Sequence, residues 1–237
     1  MRWPGLPETP LTKGTLLKRY KRFLADIELE NGDVITAHCA NPGAMTGLKD
    51  PGMRAWLSKS DNPKRKLAYS LELLEADGGL VGINTAHPNR IVEEALVARS
   101  VPELSAYGSV RREVKYGENS RIDLLLEDPA RPMAFIEVKS VTFSRKKGLA
   151  EFPDSKTARG AKHMAELAEM AKKGHRAVVF FLVQRSDCNH MQPAADIDPK
   201  YAESLKEALA AGVEVLCYSC RLSPEEITLD RRLEVAI

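Results

Sequence analysis

A carboxylate and an ammonium group stand two positions apart in an otherwise apolar segment of this chain. The segment FIEVKSVTF, residues 135–143, carries Glu137 and Lys139 between Phe, Ile and Val residues. Residues two apart on a β-strand point to the same face, so these two side chains would be neighbours. A lysine so placed can orient or deprotonate a water molecule, or stabilise charge that develops on a phosphate.

A second acid lies in the strand-like segment RIDLLLED, residues 121–128. Alternation places Asp123 on the face opposite to the Ile and Leu residues on either side of it. Asp123 precedes Glu137 by 14 residues, which is short enough for the two strands to pair as a hairpin with their acidic faces together. Carboxylate oxygens are the ligands that Mg²⁺ and Mn²⁺ prefer, so Asp123 and Glu137 predict a site for one of these ions.

A third acid comes from a predicted helix that begins at Arg90, with Asn89 as its N-cap. Helical spacing places Glu94 at the margin of the packed face of this helix. We therefore predict Glu94 as a further catalytic residue beside the two strand acids and the lysine. The alternative is that Glu137 and Lys139 form a solvated pair on an edge strand, which would contribute little to stability.

Basic residues concentrate in two places, although the net charge is only +2. Near the N terminus they alternate with Tyr20 and Phe23, a pattern in which cations contact phosphates and aromatic rings stack on bases. In a predicted helix at 155–173, basic residues recur on one side. The predicted nucleic-acid-binding residues are Lys18, Arg19, Lys21, Arg22, Asn41, Lys156, Arg159, Lys162 and His163.

Each of these surfaces also has a purely structural interpretation. The N-terminal segment could be a barrel strand with solvated lysines and core aromatic residues. Asn41 lies in the segment NPGAM and could cap that turn. His163 could be a hydrogen-bonded structural histidine, and the segment His87-Pro88-Asn89 an interdomain connection.

Two domains are predicted to position these residues. Residues 1–86 contain five short alternating segments separated by turns, which favour a small OB-like β-barrel. Residues 87–237 alternate between helices and strands, which favours an α/β domain with a mixed sheet. The strands are expected near 110–115, 121–127, 135–143, 176–183 and 213–220, and a last helix at 199–210.

Composition narrows the class of protein further. The 237 residues contain no signal-peptide pattern and no apolar run approaching the ~20 residues that span a bilayer, so we expect a cytoplasmic protein with no membrane partner. Four cysteines in a chain of this length do not form a disulfide framework. Packed core thiols are the preferred interpretation, and a zinc cluster of Cys188, His190, Cys217 and Cys220 is the alternative.

Asp123, Glu137 and Lys139, with Glu94 as the preceding helix acid, resemble the signature of the PD-(D/E)xK nuclease superfamily, except that Ile122 stands in place of its Pro. A more extensive resemblance, to the sugar fermentation stimulation protein A family, covers nearly the whole chain. It is carried by LLKRYKRFLADIEL, HCANPGAMTG, SRIDLLL, FIEVKSVT, FPDSKTARGAKHMAEL and RAVVFFLVQR. The resemblance implies an OB-like domain, a restriction-endonuclease-like domain, DNA binding and an association with the regulation of sugar metabolism genes.

We expect a protein that binds single- or double-stranded DNA and cleaves it with Mg²⁺ or Mn²⁺, and the sequence leaves a homodimer open. One alternative is a non-catalytic DNA-binding regulator of sugar (maltose) metabolism genes that has the fold without the cleavage chemistry. Another is a metal-dependent hydrolase of small phosphorylated metabolites. Two separate basic surfaces exceed what a small substrate requires, which favours DNA.

Overall fold

A computed structural model describes residues 1–3, 10–117 and 120–237. In its N-terminal part, five strands form the predicted barrel. Antiparallel pairs join β1 to β2, β2 to β3, β1 to β4 and β4 to β5, and a parallel contact between His38 and Ser70 closes β3 onto β5. A sixth strand, β6, extends the sheet from β5. The strands are β1 Thr12–Tyr20, β2 Leu24–Leu29, β3 Val34–His38, β4 Arg54–Lys59, β5 Tyr69–Ala76 and β6 Gly79–Gly82.

The C-terminal domain is built on a mixed six-stranded sheet in the order β15-β14-β12-β9-β8-β7. Strands β9, β12 and β14 are parallel, whereas β7, β8 and β15 run antiparallel to their neighbours. Its strands are β7 Ser109–Tyr116, β8 Ser120–Asp128, β9 Arg131–Val141, β12 Arg176–Val183, β14 Glu214–Leu222 and β15 Ile227–Arg232. The five predicted strands are confirmed as β7, β8, β9, β12 and β14, although β9 ends at residue 141 and not at 143. Strand β15 was not predicted.

A smaller four-stranded sheet was not predicted from the sequence. Its strands have two to four residues each, too few for alternation to be recognised, and β11 pairs in parallel with a strand about 40 residues later. It consists of β10 Phe143–Lys146, β11 Leu149–Phe152, β13 His190–Pro193 and β16 Glu234–Val235.

Helices cover both faces of the larger sheet. Helix α1, Pro88–Val97, packs Ile91 and Val92 on one face. Helices α2, Ala158–Lys172, and α3, Pro199–Ala210, pack on the other face, as Met164 and Leu205 illustrate. A 3₁₀ turn spans Pro102–Leu104. The predicted helix types are confirmed, with shorter bounds at the N-terminal end of α2 and the C-terminal end of α1.

The core on the α1 side of the sheet continues into the barrel. Met1 and Trp3 are buried in it together with Leu73 of β5. The Met1 amino group donates to Ile227 O over 2.8 Å, and Trp3 Nε1 donates to Ser223 O over 2.7 Å. The first residues of the chain therefore pack on the C-terminal domain, and the barrel packs against it through a continuous apolar interface. The boundary at residues 86 and 87 stays a prediction.

Two predicted helix starts are wrong in detail. His87, not Asn89, is the N-cap of α1, and Asn89 uses its side chain elsewhere. Thr157 caps α2 by accepting from Gly160 N over 3.0 Å, so Lys156 lies before the helix and not on its basic side. Gly174, with φ +83°, ends this helix as predicted, because L side chains rarely adopt that conformation.

All four cysteines are free and buried. Cys217 and Cys220 pack in different cores on opposite faces of β14, so the alternative zinc cluster is not assembled. Burial raises the pKa of the Cys217 thiol to about 12. In the part of the chain that the structure describes, no helix is long and apolar enough to cross a membrane.

Candidate metal centre and nucleic-acid surface

The two strand acids meet because β8 and β9 pair as the predicted antiparallel hairpin. The paired register ends at Leu124 and Ile136, and just beyond it Val138 N donates to Asp123 Oδ2, which holds Asp123 near Glu137. Lys139 Nζ donates to Glu137 Oε1 over 2.8 Å. The structure thus brings Asp123, Glu137 and Lys139 together at a place reached both by α2, through His163, and by α1, through Asn89.

Both carboxylate oxygens of Asp123 are held. Oδ1 accepts from Asn89 Nδ2 and Oδ2 accepts from Val138 N, each over 2.8 Å. Burial, followed by the negative charge of Glu137, raises the pKa of Asp123 above the ordinary value of an aspartate. Two carboxylates that crowd each other in this way are stabilised by a cation between them.

Glu137 is the most buried acid of the centre, with 3% of its surface exposed. Its Oε1 accepts from Lys139 and from His163 Nδ1, whereas Oε2 is buried without a hydrogen-bond partner. Burial raises the pKa of Glu137, but the hydrogen bond from His163 and the charge of Lys139 outweigh it and leave the pKa below the ordinary value. Glu137 is therefore held ionised with one oxygen still available.

His163 is a partner of Glu137 and not part of an exposed basic surface. Only 6% of its surface is exposed, and Arg159 Nε lies 3.2 Å from its Nε2. Arg159 can only donate, so Nε2 accepts from it, and Nδ1 faces Glu137. This geometry supports the interpretation of His163 as a hydrogen-bonded structural histidine.

Glu94 does not reach the centre, contrary to the prediction. Its carboxylate accepts from Arg90 Nε over 2.8 Å and lies 2.9 Å from the Met1 amino group. Asn89, which contacts Asp123, and Glu94 are five residues apart, so about 140° of helical rotation separates them. Glu93 lies one turn after Asn89 and is 3.5 Å from Arg112 of β7, so it is the helix acid on the side of Asp123.

A cleft of about 380 Å³ opens onto Asp123 and His163. Three exposed cations line it, Arg121, Arg159 and Lys162. Arg121 was missed, although it stands two residues before Asp123 and alternation would place it on the same face. Glu113 also lines the cleft and has a backbone φ of +53°, a conformation that nothing in the sequence predicts. Cations around an acidic pair suit a polyanion that approaches a bound metal ion.

Two of the predicted contact residues on the barrel have structural roles. Arg19 Nη2 donates to the carbonyls of Arg22, Asn41 and Gly43 over 2.8–3.0 Å. Asn41 is buried, donates to Ile83 O over 3.1 Å, and accepts from Gly43 N over 2.9 Å. Both side chains stabilise the turn, which leaves neither of them on an exposed binding surface.

One group of exposed basic residues of the barrel lies around the β1–β2 hairpin and the loop at residues 64–66. Lys21 and Arg22 form the tip of the β1–β2 hairpin, and Phe23 beside them is 44% exposed and stacked on His38 with 6.4 Å between ring centroids. His38 pairs with Ser70, whose hydroxyl accepts from Arg65 over 2.9 Å. We call this surface the barrel rim and define it as Lys21, Arg22, Phe23, Lys64, Arg65 and Lys66, all exposed.

The loop at residues 64–66 was missed because it is distant from the hairpin in sequence and is linked to it only through Ser70 and His38. Lys18 is also exposed, but its ammonium lies over the Tyr20 ring at 5.6 Å, while the Tyr20 hydroxyl lies 3.1 Å from Asp26. The Tyr20 ring is therefore covered by Lys18, whereas Phe23 keeps an accessible face.

The residues of the centre fit a hard divalent cation. Within residues 1–3, 10–117 and 120–237, no three His, Cys, Asp or Glu side chains are arranged to hold a metal ion by themselves. Mg²⁺ is commonly held by one or two carboxylates, with water and substrate phosphate oxygens completing its shell. The unpartnered Glu137 Oε2 next to Asp123 matches that kind of incomplete oxygen site.

The fold defines a class, an OB barrel followed by a mixed-sheet α/β domain. Residues 17–83 match the family model of the SfsA N-terminal OB domain, and residues 86–226 match that of the sugar fermentation stimulation protein RE domain. The chain belongs to the sugar fermentation stimulation protein family, SfsA.

Its relatives align over nearly their full lengths. The sugar fermentation stimulation protein homolog of Rhodospirillum centenum is 58% identical over 236 residues, covering 100% of both chains. The homolog of Maricaulis maris is 57% identical over 229 residues, covering 97% of both. The structure of Pyrococcus furiosus SfsA, a complex with Ca²⁺, superposes with a TM-score of 0.88 at 29% identity, covering 100% of this chain and 98% of that one.

Proposed function

We propose that this protein binds DNA and cleaves its phosphodiester bonds with Mg²⁺ or Mn²⁺ held by Asp123 and Glu137. The observation behind the proposal is that buried Glu137 keeps Oε2 unpartnered beside Asp123, while Lys139 is bonded to its other oxygen. Most buried carboxylate oxygens have a hydrogen-bond partner, so the unpartnered Oε2 leaves lone pairs available to a cation. The Ca²⁺ complex of the Pyrococcus furiosus relative supports the use of a divalent cation.

Each residue of the centre has a distinct part in this proposal. A bound ion supplies Lewis-acid stabilisation of the scissile phosphate. Lys139, which is 11% exposed at its side chain, holds Glu137 and directs its ammonium to the attacking water or to the phosphate. His163 keeps Glu137 ionised and oriented, and Arg121 and Arg159 contact the phosphates on either side.

The barrel rim is proposed as the second contact with DNA. Its five cations and the exposed face of Phe23 combine phosphate attraction with a stacking surface, which together suit a strand with unpaired bases. The cleft cations at the metal centre would hold the segment that is cut.

The direct test is an assay with end-labelled single- and double-stranded oligonucleotides, incubated with purified protein in Mn²⁺, Mg²⁺ or EDTA. We expect cleavage that needs the metal ion and is lost in EDTA. Asp123→Asn serves as the matched inactive protein and controls for a contaminating nuclease. DNA binding without cleavage under every metal condition would contradict the enzyme and favour the non-catalytic regulator.

Binding at the rim is tested in EDTA by fluorescence anisotropy with a labelled single strand. Arg22→Ala and Phe23→Ala should each weaken binding about 5- to 100-fold, since a phosphate contact or a stacked base is lost. Arg19→Ala should instead lower the melting temperature, because three backbone carbonyls lose their donor.

Val34→Ala removes a 61% exposed apolar side chain that is not part of the rim and is the matched control for Phe23→Ala. Affinities of the Arg22 and Phe23 variants equal to those of the wild type and of Val34→Ala would remove the barrel rim from the proposal. Wild-type affinity should also fall steeply as salt is raised, because phosphate contacts release counterions.

A further inference from the structure

We infer that Asn89 is a positioning residue for Asp123, and that the barrel holds Asn89 in place through a contact between Glu72 and His87. The inference rests on the metal site proposed above. Asn89 Nδ2 and Val138 N donate to different oxygens of Asp123, each over 2.8 Å. These two donors come from α1 and β9, so the orientation of the carboxylate depends on where α1 begins.

The start of α1 is anchored directly before Asn89. His87 Nε2 donates to Glu72 Oε2 over 2.8 Å, and the His87 ring packs edge-on against Trp3 with 5.7 Å between centroids. Pro88, the first helical residue, is buried. Because Asn89 follows His87 by two residues, any displacement of His87 is transmitted to the amide that holds Asp123.

The anchor itself belongs to the barrel. Glu72 lies in β5, and 1% of its surface is exposed. Ser58 Oγ donates to its Oε1 over 2.6 Å, and Asn84 Nδ2 donates to Oε2 over 3.0 Å, beside His87. A carboxylate this buried is costly unless it is fully hydrogen-bonded, so its partners are held in fixed positions. The path of contacts runs from Glu72 through His87 and Asn89 to Asp123.

This arrangement gives the barrel a role in metal binding besides contact with DNA. Hydrogen bonds to a metal-ligating carboxylate commonly change metal affinity 10- to 100-fold when they are removed. The barrel contributes no ligand, yet the metal affinity of the C-terminal domain should depend on the Glu72–His87 contact.

The test measures Mn²⁺ affinity of the full chain, by the electron paramagnetic resonance signal of free Mn²⁺, without DNA. Asn89→Ala should weaken Mn²⁺ binding about tenfold while the metal-free melting temperature changes little, since Asn89 is only half-buried. Arg90→Ala is the matched control, because Arg90 is adjacent on the same helix and its bond to Glu94 leads away from the centre. Equal affinities for wild type and Asn89→Ala would overturn the inference.

The contact with the barrel is tested at His87. His87→Ala should weaken Mn²⁺ binding in the same direction as Asn89→Ala, and His87→Gln, which keeps a donor for Glu72, should restore most of the affinity. If both His87 variants bound Mn²⁺ like the wild type, the part assigned to the barrel would be wrong. A wild type that bound no Mn²⁺ would contradict the metal site itself, which distinguishes that failure from a failure of the inference.

Discussion

Asp123→Asn is expected to abolish the stabilisation by Mn²⁺ that we predict for the wild type. A ligand present at ~100 times its dissociation constant stabilises the folded state by about 2.7 kcal/mol, which for a chain of this size raises the melting temperature by roughly 5–10 °C. Replacing Asp123 with Asn leaves Glu137 as the one carboxylate of the proposed pair. A single carboxylate attracts a divalent cation less strongly than two carboxylates do. The measurement is differential scanning calorimetry with and without Mn²⁺.

The same substitution should stabilise the metal-free protein at neutral pH. Burial and the charge of Glu137 raise the folded-state pKa of Asp123 above the unfolded value. The stability contributed by its protonated form is therefore fully present below the unfolded pKa and is lost as the pH rises through the folded pKa. The difference in free energy of unfolding between Asp123→Asn and the wild type should therefore grow as the pH rises from the unfolded to the folded pKa of Asp123. It should persist at higher pH.

Glu137→Gln should have the opposite effect on the metal-free protein, because the pKa of Glu137 is lowered and its ionised form is stabilising above the unfolded pKa. Breaking this buried pair should cost about 3 kcal/mol. Asp128→Asn is the control for both variants, because Asp128 lies on β8 with Asp123 but pairs with Arg131.

Identical wild-type melting curves with and without Mn²⁺ would refute the metal site.

Lys139→Ala is expected to reduce the rate of DNA cleavage by a factor of about 10²–10⁴ while Mn²⁺ still stabilises the protein. Lys139 donates to Glu137 and carries no lone pair for a metal ion when protonated, so its loss removes chemistry and not a ligand. Rates are measured with the labelled oligonucleotide at saturating Mn²⁺, and melting temperatures on the same samples.

Lys139→Arg distinguishes the two roles available to the ammonium group. Arg keeps the positive charge but cannot give up a proton, so retained cleavage indicates charge stabilisation and lost cleavage indicates proton transfer. Lys146→Ala, an exposed lysine on β10, is the control for loss of a positive charge. Cleavage by Lys139→Ala at the wild-type rate would exclude Lys139 from the reaction.

The two acids and the lysine of the centre could be predicted from the sequence because their arrangement depends on local geometry. The period of two along a strand places Glu137 and Lys139 on one face, and a short connection between β8 and β9 brings Asp123 beside them. The barrel and the succession of helices and strands follow from patterns of the same kind, each contained within a few neighbouring residues.

The remaining parts of the centre were decided only by the tertiary structure. Asn89 contacts Asp123 and Glu94 does not, because the packing of α1 determines which of its side chains face the centre. His163 reaches Glu137 because α2 lies across the sheet, and Arg65 reaches the neighbourhood of His38 because the barrel closes through β3 and β5. Sequence periodicity indicates which face a side chain occupies, but contacts between distant elements depend on how those faces pack together.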